Sequence, residues 1–415
     1  MDTPKDVAPI AYVSHSFPLL TETFVYREVV ALQRQGFRVE TFAIWKPHKS
    51  RLPEEARHLV DTSHYVFPIS WSKFFKAHLR VLGTSPWRYL KTLAFVLTRR
   101  GESLSNRRRT FFHFCEAVYL APEMTELNIR HVHAQFAINA ATIALVCSRL
   151  LGITFSFTAH NSFFHDRVIL REKAREARFI VAISQFTREF LIRLIGGHDT
   201  EGKIHVVHCG LSPYDFAPPD QKPANEVPVL LFVGQLTERK GASVLVEACR
   251  ILAERDVAFL CVVVGDGPQR ALLEQLIERY ALQGQVELAG VIFQEDLKAY
   301  LQRADVFVLP CVRASNGDMD GIPVSLMEAM AMEIATVSTH ISGIPELVED
   351  GVSGLLVPER DAVFLADTIQ RLLEDGELRL RLGRGGRQKV LAEFDINKSA
   401  TELAALFEHY LRVDG

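Results

Sequence analysis

The feature that most constrains this chain is an alternation of short β-branched runs with helix-patterned segments, interrupted once and then restarted. Strands of this kind, each followed by a helix, pair in parallel and are covered by helices on both faces. Pro9–Ser14 reads as a first strand and Thr21–Gln35 as a helix, with Thr21 as its cap and Gly36 just past its end. Phe37–Trp45, Arg130–Ala134, Thr154–Thr158, Phe179–Ile183 and Lys203–Val207 follow as strands, separated by helices such as Ala137–Leu150 and Gln185–Ile195. The interruption is Ser212–Pro228, which carries Pro213, Pro218, Pro219 and Pro223 and reads as a linker. Beyond it, strands Val229–Val233, Phe259–Val264, Val286–Leu288, Val306–Leu309 and Ala335–Ser338 alternate with helices Ala242–Arg255, Gln269–Ala281 and Pro323–Met332. A last helix, Asp395–Leu411, has no strand after it.

The expected fold is therefore α/β with two doubly wound domains in tandem. Residues 1–215 form the first, 216–395 the second, and 396–415 the closing helix. A length of 415 residues suits two domains of about 200 residues each. Such domains bind ligands at the carboxyl ends of their strands, which predicts a central cleft.

Composition mostly excludes. The net charge of −3 points to no nucleic-acid partner. The start Met1–Asp6 is acidic, without the apolar stretch of a secretory signal, and no apolar run is long enough to span a bilayer. Six scattered cysteines without a CxxC pair read as reduced thiols, and no His/Asp cluster has ligand spacing, so no metal is expected. The chain is expected in the cytoplasm.

Trp71–His113 stands apart. Lys73, Lys76, Arg80, Arg88, Lys91, Arg99, Arg100, Arg107, Arg108 and Arg109 face a single acid, Glu102, with eight Trp, Phe and Tyr residues interleaved. Helices of this composition lie on anionic membrane surfaces; they also occur as solvated faces over an aromatic core.

Three segments carry chemistry. Val233–Gly241 ends a strand at Gly234 and turns through Gln235 to Arg239 and Lys240, two cations suited to phosphate. Asp318–Met330 places Asp320, Gly321 and Ile322 in a loop, Pro323 and Val324 at a helix start, and Glu328 within the helix. The helix start suits a diphosphate, and the carboxylates suit vicinal diols of ribose and sugar. Gly265-Asp266-Gly267-Pro268 is a weaker, sharp strand-to-helix turn, and His160 stands at another strand end.

Together these segments resemble the retaining GT-B glycosyltransferases of family 4 (group 1), and most closely the bacterial exopolysaccharide transferases of the colanic acid and amylovoran type. The resemblance extends through Ala304–Pro310, Ser342–Gly351 and Gly354–Pro358, and in the first half through Ser16-Phe17-Pro18, Glu22-Thr23-Phe24, His131–Ala134 and Thr158-Ala159-His160. It implies that Lys240 stabilises the departing diphosphate, Glu328 holds the donor ribose, and Asp320 faces the sugar and its phosphate. It implies that His160 contacts the donor sugar from the opposite domain. The Gly265–Gly267 turn and Val291 border the base, and Ser16, Pro18, Glu22 and Thr23 lie on the acceptor side. The closing helix would cross back onto the first domain. The donor is a nucleotide diphosphate sugar, UDP-linked in preference to GDP-linked, with no cofactor. The expected acceptor is a lipid-linked saccharide at the inner membrane face. Two positions depart from the family pattern: Gln235 stands where members carry Arg, and Asp320 where they carry Glu. A soluble acceptor, or a catalytically silent protein that binds nucleotide sugars, are the alternatives.

Overall fold

The computed structural model describes residues 8–19, 22–49, 52, 54–99, 102–196, 198–292 and 294–411. The expected cap Thr21, the basic residue Arg100 and the start Met1–Asp6 lie outside the described residues. The chain forms two compact units. The first runs to Ile183, resumes over Thr187–Val207 and takes in the chain from Ser399; the second comprises Ser184–Phe186 and His208–Lys398.

In the first unit, β1 (Ile10–Ser16), β2 (Val39–Trp45), β3 (His64–Phe67), β4 (His131–Gln135), β5 (Thr154–Ala159), β6 (Ile180–Ala182) and β7 (Ile204–Val206) form one sheet in the order β3-β2-β1-β4-β5-β6-β7. Every pairing is parallel; Ile10 of β1 lies opposite Val39 on one side and His131 on the other. In the second unit, β8 (Val229–Val233), β9 (Leu260–Val264), β10 (Val286–Gly290), β11 (Val306–Leu309), β12 (Ala335–Thr339) and β13 (Leu355–Val357) are ordered β10-β9-β8-β11-β12-β13, again all parallel. The edge strands β3 and β13 were not anticipated from the sequence. Both sheets reverse direction of growth once, between β1 and β4 and between β8 and β11, and ligands bind outside the strand ends at such reversals.

Residues of both sheets pack as buried apolar runs; Val306, Phe307, Val308 and Leu309 of β11 are all fully buried. The core of the first unit joins Ile10 and Tyr12 of β1 to Val25, Val29 and Leu32 of the helix Thr23–Arg34. The closing helix Ile396–Leu411 completes that core. Its buried residues Ala400, Leu403, Ala404 and Phe407 recur at the spacing of one helix face. The Phe407 ring lies 5.3 Å from His133 and 5.7 Å from Phe179, and Tyr410 Oη is 2.9 Å from a ring nitrogen of His205. The expected return of this helix to the first unit is therefore observed.

The basic, aromatic region folds as the helices Trp71–Thr84, Pro86–Thr98 and Leu104–Glu126. Phe74, Tyr89 and Phe114 pack inward, with Tyr89 and Phe114 rings 5.3 Å apart. Trp71, Phe75, Leu79 and Leu82 instead form a helical stripe on the outside, and Trp87, Leu90 and Leu97 form a second; Trp71 is 63% and Trp87 75% exposed. Several cations are paired: Lys73 with Glu123, Arg80 with Glu126, and Arg109 with both oxygens of Asp166 at 2.8 Å. Among the described residues, no helix is long and apolar enough to cross a membrane.

Candidate functional site

In the second unit the loops after β8, β9 and β11 meet backbone to backbone. Gly234 N donates to Val264 O at 3.0 Å and Leu236 N to Asp266 O at 2.9 Å. Gly265 has φ 135, and a Cβ there would stand 2.0 Å from Gly234 O, so only glycine permits this approach. Its own N–H bonds Gly290 O at 2.8 Å, which puts the exposed Val291 one residue beyond the same turn. Asp266 is exposed, and its carboxylate accepts from Gly267 N at 2.7 Å.

The loop after β8 then makes a single 3-10 turn over Glu238–Lys240. Gly241 ends it with φ 72, where a Cβ would stand 1.8 Å from Pro310 O at the end of β11. Val312 N donates to Arg239 O at 2.9 Å, and Glu238 accepts from Ser315 N and Oγ at 3.0 and 2.8 Å. The turn is thus bound along its length to the loop that carries Asp318 and Asp320.

That binding creates a buried charge cluster. Lys240 Nζ lies 2.9 Å from Asp320 Oδ2, Arg239 Nε 3.4 Å from Asp320 Oδ1, and Arg239 Nη1 2.7 Å from Asp318 Oδ2. Cys311 Sγ donates to Asp320 Oδ2 at 3.5 Å. Burial raises the pKa of Asp320, but the charges of Lys240 and Arg239 outweigh it and hold the carboxyl below its ordinary value. Gln235 is exposed beside this cluster. Arg239, four residues on from Gln235, has its guanidinium engaged by two carboxylates. Asp318 and Cys311 are the members that sequence reasoning passed over; the Asp318-x-Asp320 repeat was the available signal.

Gly321, Ile322 and Pro323 are buried coil, and the helix Val324–Ala331 begins at Val324. Ser325 Oγ donates to Val233 O at 2.9 Å, tying the helix start to the end of β8. Glu328 is buried on this helix. The donor-side residues expected in the second unit are therefore gathered beyond β8, β9 and β11. Among the described residues, no group of three or more His, Cys, Asp or Glu side chains is placed to hold a metal.

The remaining expected residues belong to the first unit. Ser16 ends β1 and donates from Oγ to Trp45 O at 3.0 Å; the Phe17-Pro18 peptide after it is cis. Glu22 precedes the first helix, with burial pushing its carboxyl up to about 7, and Thr23 is buried at the helix start. His160 follows β5, buried, with its ring 4.9 Å from Phe24 and 4.5 Å from Phe136. Its Nε2 is 2.9 Å from Gln135 Oε1 at the end of β4. Burial pushes its pKa down to about 3, so the ring is neutral and acts through hydrogen bonds rather than charge. The neighbouring His131 and His133 point into the sheet and bond the hydroxyls of Thr154, Ser156 and Thr158 at 2.7–3.0 Å.

Two family models match the chain: Glycosyltransferase Family 4 over residues 21–213 and Glycosyl transferases group 1 over residues 215–389. WcaL of Escherichia coli (strain K12), named as a colanic acid biosynthesis glycosyltransferase, is 33% identical over 407 residues, covering 94% of this chain and 97% of its own. The amylovoran biosynthesis glycosyltransferase AmsK of Erwinia amylovora is 30% identical over 415 residues, covering 96% and 99%. Among solved structures, HepE of Anabaena in complex with UDP-glucose superposes with a TM-score of 0.70 at 15% identity, covering 97% of this chain and 100% of that one. Sucrose-phosphate synthase of Thermosynechococcus elongatus does so with 0.73 at 19% identity, covering 97% and 98%. The structural likenesses carry the fold, and the family models and relatives carry the kinship: this chain belongs to the group 1 glycosyltransferases and has a GT-B fold of two Rossmann-like domains.

Proposed function

We propose that the protein transfers a sugar, with retention of anomeric configuration and without a metal, from a nucleotide diphosphate sugar to a lipid-linked saccharide in exopolysaccharide assembly. The observation that carries the reading is Lys240 held at 2.9 Å from Asp320, in the loop that leads into the helix start at Val324, beyond the reversal of the second sheet. A departing diphosphate develops negative charge, and a preorganised ammonium together with a helix N-terminus stabilises it where a metal ion otherwise would. Lys240 serves the diphosphate, Asp320 the sugar and its phosphate, and Glu328 the ribose. Gly265, Asp266, Gly267 and Val291 border the base. The leaving phosphate takes the acceptor's proton, so no protein nucleophile is needed. His160, neutral in the first unit, is assigned a hydrogen bond to a sugar hydroxyl, and Ser16, Pro18, Glu22 and Thr23 the acceptor side. UDP is preferred as the carrier nucleotide; HepE, of like fold, was solved with UDP-glucose. WcaL and AmsK are named for exopolysaccharide synthesis, which supports that acceptor class.

The outward stripes of Trp71–Thr84 and Pro86–Thr98, with Lys76 and Lys91 among them, support docking on an anionic bilayer, where a lipid-linked acceptor resides. The deciding experiment is thermal stabilisation by UDP, GDP, ADP and their sugar conjugates without added metal. A nucleotide at about 100 times its dissociation constant adds about 2.7 kcal/mol. UDP is expected to stabilise the wild type and to lose that effect in Lys240→Ala. If no nucleotide or sugar conjugate shifts the wild type, the transferase reading falls, and a silent scaffold without a working donor site takes its place.

A further inference from the structure

The first sheet carries an aromatic stack that the proposed reaction has not used. Strands β1, β2 and β3 end level with one another at Ser16, Trp45 and Phe67, and these residues are partners in register, Ser16 with Trp45 and Trp45 with Phe67. Register partners in a parallel sheet point to the same face from strands about 4.8 Å apart. The Trp45 and Phe67 rings accordingly lie stacked, with centroids 4.3 Å apart and planes 15° apart. On the other side of Trp45 the register partner is the small Ser16, whose Oγ donates to Trp45 O at 3.0 Å. Among the described residues no second ring pairs with Trp45, and it is 49% exposed.

An indole held flat from one side at the carboxyl end of a strand suits one class of ligand. One face of a pyranose ring is a patch of C–H bonds, apolar and weakly positive, and the face of an indole is apolar and negative. The sugar's rim carries hydroxyls, and the polar groups around Trp45 match them. The indole N–H donates to no described residue, Ser16 Oγ keeps lone pairs that accept, and Lys46 is exposed, its ammonium 5.7 Å from the Tyr65 ring. Trp71 and Trp87 differ: they sit on helices among exposed Phe and Leu side chains, whereas Trp45 sits among Ser16, Lys46 and His48. Pro68, Ile69 and Ser70 join Phe67 to Trp71, so the stack lies beside the stripe assigned to the bilayer.

We propose that Trp45, supported by Phe67, is a stacking platform for a pyranose ring of the acceptor saccharide, with Ser16 and Lys46 taking its hydroxyls. That the ring belongs to an acceptor rests on the transferase reading; that a pyranose seats on Trp45 does not. Phe67 fixes the indole plane in advance, so the sugar meets a surface that loses little freedom on binding.

Trp45, Trp71 and Trp87 are the three tryptophans of the chain, so the full-length protein carrying Trp71→Phe and Trp87→Phe reports on Trp45 alone. Its fluorescence is titrated with the methyl β-glycosides of glucose and galactose, with glycerol as a polyol that lacks a ring face, and with phosphatidylglycerol vesicles. A single hexoside is expected to bind in the millimolar range, with a saturable shift of emission to shorter wavelength that glycerol does not produce. Saturation-transfer NMR should mark the C–H protons of one pyranose face. Trp45→Ala should weaken hexoside binding about tenfold and Trp45→Phe less than about threefold, with melting curves establishing that each variant folds. No saturable response to either hexoside, or an equal response to glycerol, overturns the proposal. A response to the vesicles alone does so as well and places Trp45 in the bilayer. Unchanged hexoside binding in Trp45→Ala moves the sugar elsewhere and removes the platform. Hexoside binding at Trp45 in a protein that no nucleotide stabilises keeps the platform and counts against the transferase reading; stabilisation by UDP without hexoside binding does the reverse.

Discussion

Replacing Asp320 by asparagine should separate the structural from the chemical part of the charge cluster. The carboxylate is buried and is held by Lys240 at 2.9 Å and by Arg239 at 3.4 Å. Removing one partner of a buried ion pair costs about 3–5 kcal/mol. Here the carboxamide oxygen still accepts from Lys240, and Arg239 keeps Asp318 at 2.7 Å, so about 2–3 kcal/mol is expected. For a unit of this size that lowers the melting temperature by roughly 4–12 °C. The pH dependence has a definite sign. The folded-state pKa of Asp320 is depressed, so its stabilisation is complete above the unfolded value near about 3.9 and is lost as pH falls through the lower folded value. The gap between wild type and variant should therefore be flat from pH 5 to pH 8. The carboxylate also competes with a diphosphate for Lys240. Calorimetric titration should accordingly find UDP bound more tightly by Asp320→Asn, while sugar transfer slows. Melting within 1 °C of wild type, a gap that changes between pH 5 and 8, or weaker UDP binding would each refute the reasoning.

Three further outcomes are expected. Phe407→Ala removes a fully buried ring from the core of the first unit and should cost about 3–5 kcal/mol in urea unfolding; a loss below about 1 kcal/mol would show that the closing helix contributes little there. Gly265→Ala drives a Cβ to within 2.0 Å of Gly234 O at φ 135 and should destabilise the second unit by about 2–4 kcal/mol, with UDP stabilisation lost; a neutral result would mean the two turns can part. Lys76→Gln combined with Lys91→Gln should weaken binding to phosphatidylglycerol vesicles by about thirtyfold, at about 1 kcal/mol per cation, without moving the melting temperature. Equal binding of wild type to neutral vesicles would remove the electrostatic part of the docking proposal.

Most of the architecture was legible because parallel strands covered on both faces must be largely apolar, and β8, β11 and the Ile10–Val13 part of β1 are. β3 was not: His64–Phe67 is a half-buried edge strand whose polar and aromatic residues lack that signature. β13 was not either, although its three residues are no fewer than those of β6 and β7. In the second unit the placement of the candidate residues was legible as well: all but Val324 and Glu328, on the helix Val324–Ala331, sit in loops that follow β8, β9, β10 or β11. What the sequence withheld was pairing. Arg239 lies 79 positions from Asp318 and Gln135 lies 107 from Glu28, and no local pattern shows that either pair meets. His131 and His133, in a segment that carries the resemblance, bond hydroxyls inside the sheet, which no local pattern shows either.

The return of the closing helix has a consequence for the birth of the protein. Leu403, Ala404 and Phe407 fill the core around Ile10, Tyr12 and Phe179, although roughly 200 residues separate β7 from Phe407 along the chain. Translation at about 5–20 residues per second leaves the first unit without these side chains for roughly 10–40 s after β7 has been made. During that interval Tyr12, Phe37 and Phe179 lack the partner that later covers them. The half of the protein synthesised first is thus the half completed last, and a nascent chain paused before residue 403 presents an open apolar seam to the chaperones at the ribosome.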